Sequence, residues 1–106
     1  MTAIIEVRAA NPEGDLACEF GIAREIAGRR DELRRAIVAP IRPTERGIEV
    51  TFAASARDLV VQYVDVESRC CSFLDLAARE EADRVILTVE GRPEASDVIA
   101  SIFTPA

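Results

Sequence analysis

The sequence predicts a two-layer α+β domain in which a mainly antiparallel sheet is covered by amphipathic helices. Two observations carry this. Ile48, Val50 and Phe52 alternate with Glu49 and Thr51, and Val85, Leu87 and Val89 alternate with Ile86 and Thr88, the period of two that belongs to strands. Between these runs lie segments whose apolar residues recur every three to four positions, the period of a helix with one covered face. Helix and hairpin signals alternate, which favours antiparallel pairing over a wound parallel sheet.

Taken in order, Ile4, Ile5 and Val7 predict a leading strand that the turn-forming Asn11-Pro-Glu-Gly-Asp15 interrupts, so residues 1–15 read as a strand and turn. Leu16-Ala-Cys-Glu-Phe20 is a second short apolar segment. A helix is expected from about Ile22 to Val38, with Ile22, Ile26, Leu33 and Ile37 on one face and arginines and acids on the others. Pro40 ends it. Val38-Ala-Pro-Ile41 is the expected hairpin partner of the strand at Ile48–Phe52, and Pro40, lacking an N–H, places that partner at an edge.

Ser55 is the expected N-cap of a second helix, with Asp58 near the first-turn amides. Leu59, Val60, Tyr63, Val66 and Cys70 then face the sheet, with Val61 and Val64 broadening that side. The helix should end at the paired cysteines, with Phe73 turning inward. Phe73, Leu74 and Leu76 precede a polar bend at Arg79-Glu-Glu-Ala-Asp83, and Val85–Val89 reads as a central strand. Pro93 opens a last helix that covers the sheet with Ala95, Val98, Ile99, Ile102 and Phe103.

At 106 residues the chain fits a single compact domain spanning 1–106. Nineteen acids against thirteen bases give a net charge near −6, which offers phosphate backbones no broad attraction, so no nucleic-acid partner is expected. The arginines at 24, 29, 30, 34 and 35 read as solvated helix charges. The sequence has neither Lys nor His, which removes a lysine Schiff base, an imidazole base and a His-bearing triad. It contains no Gly-rich phosphate loop. No charged leader with an apolar stretch follows Met1, and no run approaches the roughly 20 apolar residues that span hydrocarbon, so a cytoplasmic protein without a membrane partner is expected.

Cys18, Cys70 and Cys71 are an odd set with two members adjacent, which fits free thiols better than a secreted disulfide framework. Glu67 lies three and four positions before Cys70 and Cys71, so a helix persisting to Cys71 brings a carboxylate and a thiol to neighbouring azimuths. Thiolates bind soft metal or metalloid ions, and a carboxylate completes such a site or takes the displaced proton. The candidate metal site is therefore Cys18, Cys70, Cys71 and Glu67. The same cysteines also serve as small apolar packing groups. No catalytic residue or cofactor is assigned.

Glu67-Ser-Arg-Cys-Cys-Ser-Phe73 resembles the Glu-x-x-Cys-Cys-Pro-Phe-like segment carried by a group of small bacterial proteins after an amphipathic helix. The resemblance extends from about Leu16 to Phe103 and includes Leu16-Ala-Cys18, the arginine-rich helix, and Gly47 before a strand ending at Phe52. Ser72 stands where Pro is usual, which loosens the turn after the cysteines. The resemblance implies a domain type and no particular reaction. Two functional expectations follow from the residues: a small protein that binds or senses a soft metal or metalloid ion through its thiols, and a noncatalytic homo-oligomeric interaction domain whose cysteines fill space.

Overall fold

The computed structural model describes residues 2–14 and 28–103. The described elements run β1 (Thr2–Val7), α1 (described over 28–34), β2 (Arg42–Pro43), β3 (Gly47–Ala53), α2 (Arg57–Cys70), β4 (Asp75–Glu81), β5 (Arg84–Glu90) and α3 (Ser96–Ser101). Short 3₁₀ turns at Ala54–Ala56 and Pro93–Ala95 lead into α2 and α3. The five strands form one sheet in the order β1-β4-β5-β3-β2, and every pair is antiparallel. This is the predicted two-layer α+β architecture. The expected positions at Leu16–Phe20, Ile22 and Ile26 lie outside the described residues.

Alternation sets the two faces of the sheet. Ile48 pairs with Val89, Val50 with Leu87 and Phe52 with Val85, and all six side chains are buried beneath the helices. Leu76 and Ala78 extend that layer from β4. The opposite face carries charge: Arg79 on β4 bonds Glu49 on β3 and Glu81 on its own strand, each at 3.3 Å. With β5 at the centre, its apolar run Val85-Ile-Leu87 is fully covered, as a strand flanked on both sides should be.

Local details differ from the sequence expectation, and the polar bend expected at Arg79–Asp83 is confined to Ala82–Asp83, because Arg79–Glu81 continue β4 in its pairing with β5. The described part of α1 ends at residue 34, because the chain turns to bridge Ile37 to Phe52 and to place the Ala36 carbonyl on the Ala53 amide at 3.0 Å. The partner of β3 is thus split, with Ile37–Val38 meeting its end and Arg42–Pro43 meeting its start. Pro40 falls in the gap, where its missing N–H interrupts no ladder. Ser55 does not cap α2; it sits within the 3₁₀ turn, and the cap residue is Ala56, which makes no side-chain bond. The helix is held by its buried stripe of Val60, Tyr63, Val64 and Glu67, spaced i, i+3, i+4, i+7.

The β4–β5 hairpin closes on Ala82 and Asp83, whose φ angles of 49° and 62° match the twist a two-residue turn requires. At the other end of β5 the constraint is steric. A Cβ on Gly47 would fall on the Val89 carbonyl oxygen, so only glycine lets β3 begin its pairing with β5 there. Gly47→Ala is therefore expected to lower the unfolding free energy by roughly 2–3 kcal/mol, read as a reduced urea midpoint at unchanged slope.

Candidate functional site: a buried carboxylate and thiol at the end of α2

Tyr63, Glu67 and Cys71 follow one another at i, i+4 and i+8, so they line a single stripe of α2 and its exit. The Cys71 amide donates to the Glu67 carbonyl at 2.6 Å, closing the last helical turn. The Leu74 amide then donates to the Cys71 carbonyl at 3.0 Å, which turns the chain so that Phe73 and Leu74 both enter the core. Phe73 thus points inward as its sequence position predicts. The turn is pinned from outside: the Asn11 amide donates to the Ser72 carbonyl and the Ala9 amide to Asp75 Oδ1. Arg92 reaches the carbonyls of Pro12 and Gly14 in the same loop.

Glu67 has no solvent exposure, and Arg30 of α1 donates from Nη2 to its Oε1 at 2.7 Å. A buried carboxylate without such a partner would be strongly disfavoured, so this ion pair fixes how α1 and α2 meet. The inventory of bonds is incomplete, however. Among the described residues, Glu67 Oε2, the Tyr63 hydroxyl and Arg30 Nε are buried without a hydrogen bond of good geometry, although Tyr63 and Cys71 both lie within hydrogen-bonding reach of Glu67. Tyr63 itself is held by packing, its ring 5.5 Å from that of Phe103, which in turn meets Phe52 edge-on at 5.7 Å. A polar set therefore lies at the end of an otherwise apolar core.

The electrostatics follow from burial. Loss of solvent pushes the Cys71 thiol up to about 12, with the neighbouring Glu67 carboxylate adding to the effect and Arg30 opposing it. Burial, again with help from Glu67, raises Tyr63 well above the ordinary phenol value. Both groups are thus neutral hydrogen-bearing side chains facing a carboxylate. Arg30 remains a cation: burial pulls its pKa down, but Glu67 and Tyr63 outweigh that.

The four sequence-predicted site residues part company here. Glu67 and Cys71 are brought together. Cys70, one position earlier and about 100° around the helix, is partly exposed and disulfide-bonded, so the expectation of free thiols holds for Cys71 and fails for Cys70. Cys18 lies outside the described residues. Among the described residues, no three His, Cys, Asp or Glu side chains converge as a metal cage would require. Arg69 turns to Asp65 at 3.1 Å on the helix exterior. Arg30 is the member that sequence reasoning placed elsewhere, as a solvated charge, while Tyr63 is buried in the core as expected. A glutamate on the sheet-facing stripe of α2 was the signal, since a carboxylate at such a position needs a cation from another element.

Removing Glu67 with Ala leaves Arg30 partly buried and unpaired, and is expected to cost on the order of 3 kcal/mol. Arg30→Met combined with Glu67→Leu should recover most of that loss in a urea double-mutant cycle. Linkage gives a second expectation. The unfolded Cys71 thiol releases its proton near its ordinary value of 9 and the folded one near 12, so stability is full below pH 9 and falls as pH rises through that window. Tyr63 acts in the same direction from its own ordinary value of 10 upward. Denaturation series from pH 8 to pH 11 should show a decline that Cys71→Ala reduces and Cys71→Ala with Tyr63→Phe removes.

No protein-family model matches the sequence, and neither a curated protein nor a solved structure matches it.

Proposed function

We propose that this protein captures a thiophilic ion at Cys71, with Glu67 taking the displaced proton. The supporting observation is the pairing of a free, buried thiol with a fully buried carboxylate within its hydrogen-bonding reach. In the capture step the ion bonds to Cys71 Sγ, the S–H bond breaks, and the proton passes to Glu67 Oε2 and from there to solvent. Sequestration or sensing suits this arrangement better than turnover, because among the described residues no further base stands beside the thiol. The resemblance of Glu67-Ser-Arg-Cys-Cys-Ser-Phe73 to the Glu-x-x-Cys-Cys-Pro-Phe-like proteins is part of the same reading.

We place the protein in the cytoplasm, where a reducing thiol pool would open the disulfide at Cys70. Among the described residues, no helix is long and apolar enough to cross a membrane. Cys71 is a free thiol whether or not that disulfide is open, so the reading rests on Cys71. The homo-oligomeric alternative gains no specific support, since Val38 is the one large exposed hydrophobic side chain among the described residues.

Native mass spectrometry of the protein titrated with Ag⁺, Cd²⁺ or arsenite tests the proposal. A stoichiometric complex is expected in the parent and in Cys70→Ser, and its loss is expected in folded Cys71→Ala. Equal binding by the Cys71→Ala variant would refute the assignment.

A further inference from the structure

We propose that the cavity beside the β2–β3 turn binds a small carboxylate with an apolar body, the body lying on Ile48 and Ile99 and the carboxylate meeting Arg46. The cavity shares no residue with the Cys71 and Glu67 site and stands independently of it.

Its walls are bonded in place before any ligand arrives. The Thr44 amide closes the β2–β3 turn by donating to the Gly47 carbonyl at 2.9 Å. The turn is tied to the end of β5 by the Thr44 hydroxyl, which donates to Glu90 Oε2 at 2.9 Å, and by the Gly91 amide, which donates to the Arg46 carbonyl at 3.1 Å. Facing it, the 3₁₀ turn Pro93–Ala95 is closed by the Ala95 amide on the Arg92 carbonyl at 2.9 Å and leads into α3, whose Ile99 is buried. Between these walls lies a space of about 470 Å³, a size suited to a small molecule, floored by Ile48 and Ile99 and flanked by Pro43 and Pro93. Fixed walls keep the ordering cost of binding low.

Charge decides the class of ligand. In a chain of net charge −6, the lining of this cavity holds two arginines, Arg46 and Arg92, against one acid, Glu45. Arg92 is committed to the fold, because its guanidinium bonds the carbonyls of Pro12 and Gly14 and meets Glu94 at 3.2 Å. Arg46 is about half exposed, and its Nη2 meets Asp75 at 3.1 Å. An ion pair so open to solvent is weak, so this guanidinium turns to a ligand at little cost. Its planar fork then matches a carboxylate through two parallel hydrogen bonds. The cavity on the outer face of the sheet is lined mainly by charged side chains, among them Arg42, Arg79, Arg84 and Glu49, and does not offer an apolar body the same floor.

The experiment is a titration of the full chain with hexanoate, followed by amide nitrogen–proton correlation spectra, with 1-hexanol as the uncharged match and hexylammonium as the charge-reversed one. Saturable shifts are expected at the amides of Arg46, Gly47, Ile48, Gly91 and Ile99, with a Kd for hexanoate of about 1 mM or tighter and at least about tenfold weaker binding of the other two probes. Arg46→Gln should remove that margin and leave the affinity for 1-hexanol as it was. Ala100→Phe, a change at an exposed lining position that fills the cavity, should abolish the shifts from all three. The comparison of probes on the parent chain stands even if a variant does not fold. Hexanoate shifts that fail to saturate or that fall elsewhere would overturn the site; equal affinity for the three probes, or a margin that survives Arg46→Gln, would overturn the carboxylate assignment.

Discussion

The bond between Arg30 and Glu67 is the interaction on which the rest of this fold's character depends. A carboxylate without solvent exposure stays charged inside a protein only if a cation and hydrogen bonds hold it there. Satisfying Glu67 requires α1 to lie against the end of α2 with Arg30 reaching inward. That requirement places the aliphatic stem of an arginine, a tyrosine ring and a thiol around one carboxylate. Well-packed apolar residues would serve stability at least as well, so the persistence of this set at the helix end is what gives the site its chemical interest.

The sheet supplies the frame that holds that helix end. Central β5 is covered on both sides, β3 and β4 pair with it along their full lengths, and the shorter contacts of β1 and β2 fall to the edges. One face is a continuous apolar floor from Ile48 to Leu76, against which α2 and α3 lie. The other is a lattice of small and charged residues centred on Arg79 and Glu49. The floor gives α2 its orientation, and the turn at Cys71–Leu74 then converts the helix into β4 while carrying Phe73 and Leu74 into the core.

Neighbouring cysteines meet opposite fates for a geometric reason. A step of one residue on a helix rotates a side chain by about 100°, so Cys70 and Cys71 face different surroundings although they adjoin in sequence. Cys71 completes the stripe that Tyr63 and Glu67 begin and is buried with them, while Cys70 is partly exposed and engaged in a disulfide. Adjacency therefore makes this segment chemically asymmetric: one sulfur belongs to the interior electrostatics and the other does not.

Patterning along the chain was enough to determine the α+β class, the central place of Val85–Val89, the burial of Val60, Tyr63, Val64 and Val66 on α2 and the inward turn at Phe73, because each follows from periods of two or 3.6 in the order of side chains. Cys70, expected on the same stripe, is instead partly exposed, and Glu67 is buried there. Where caps and edges compete locally, the pattern was insufficient: Ser55 lies in a 3₁₀ turn, and the partner of β3 is split around Pro40. The same limit applies to the site. Spacing alone brings Glu67 to Cys71, since both lie on one helix. The meeting of Arg30 with Glu67, 37 positions apart, was decided by the packing of two helices on one sheet. Burial, which tertiary contacts alone create, turned an ordinary glutamate, tyrosine and cysteine into a coupled set.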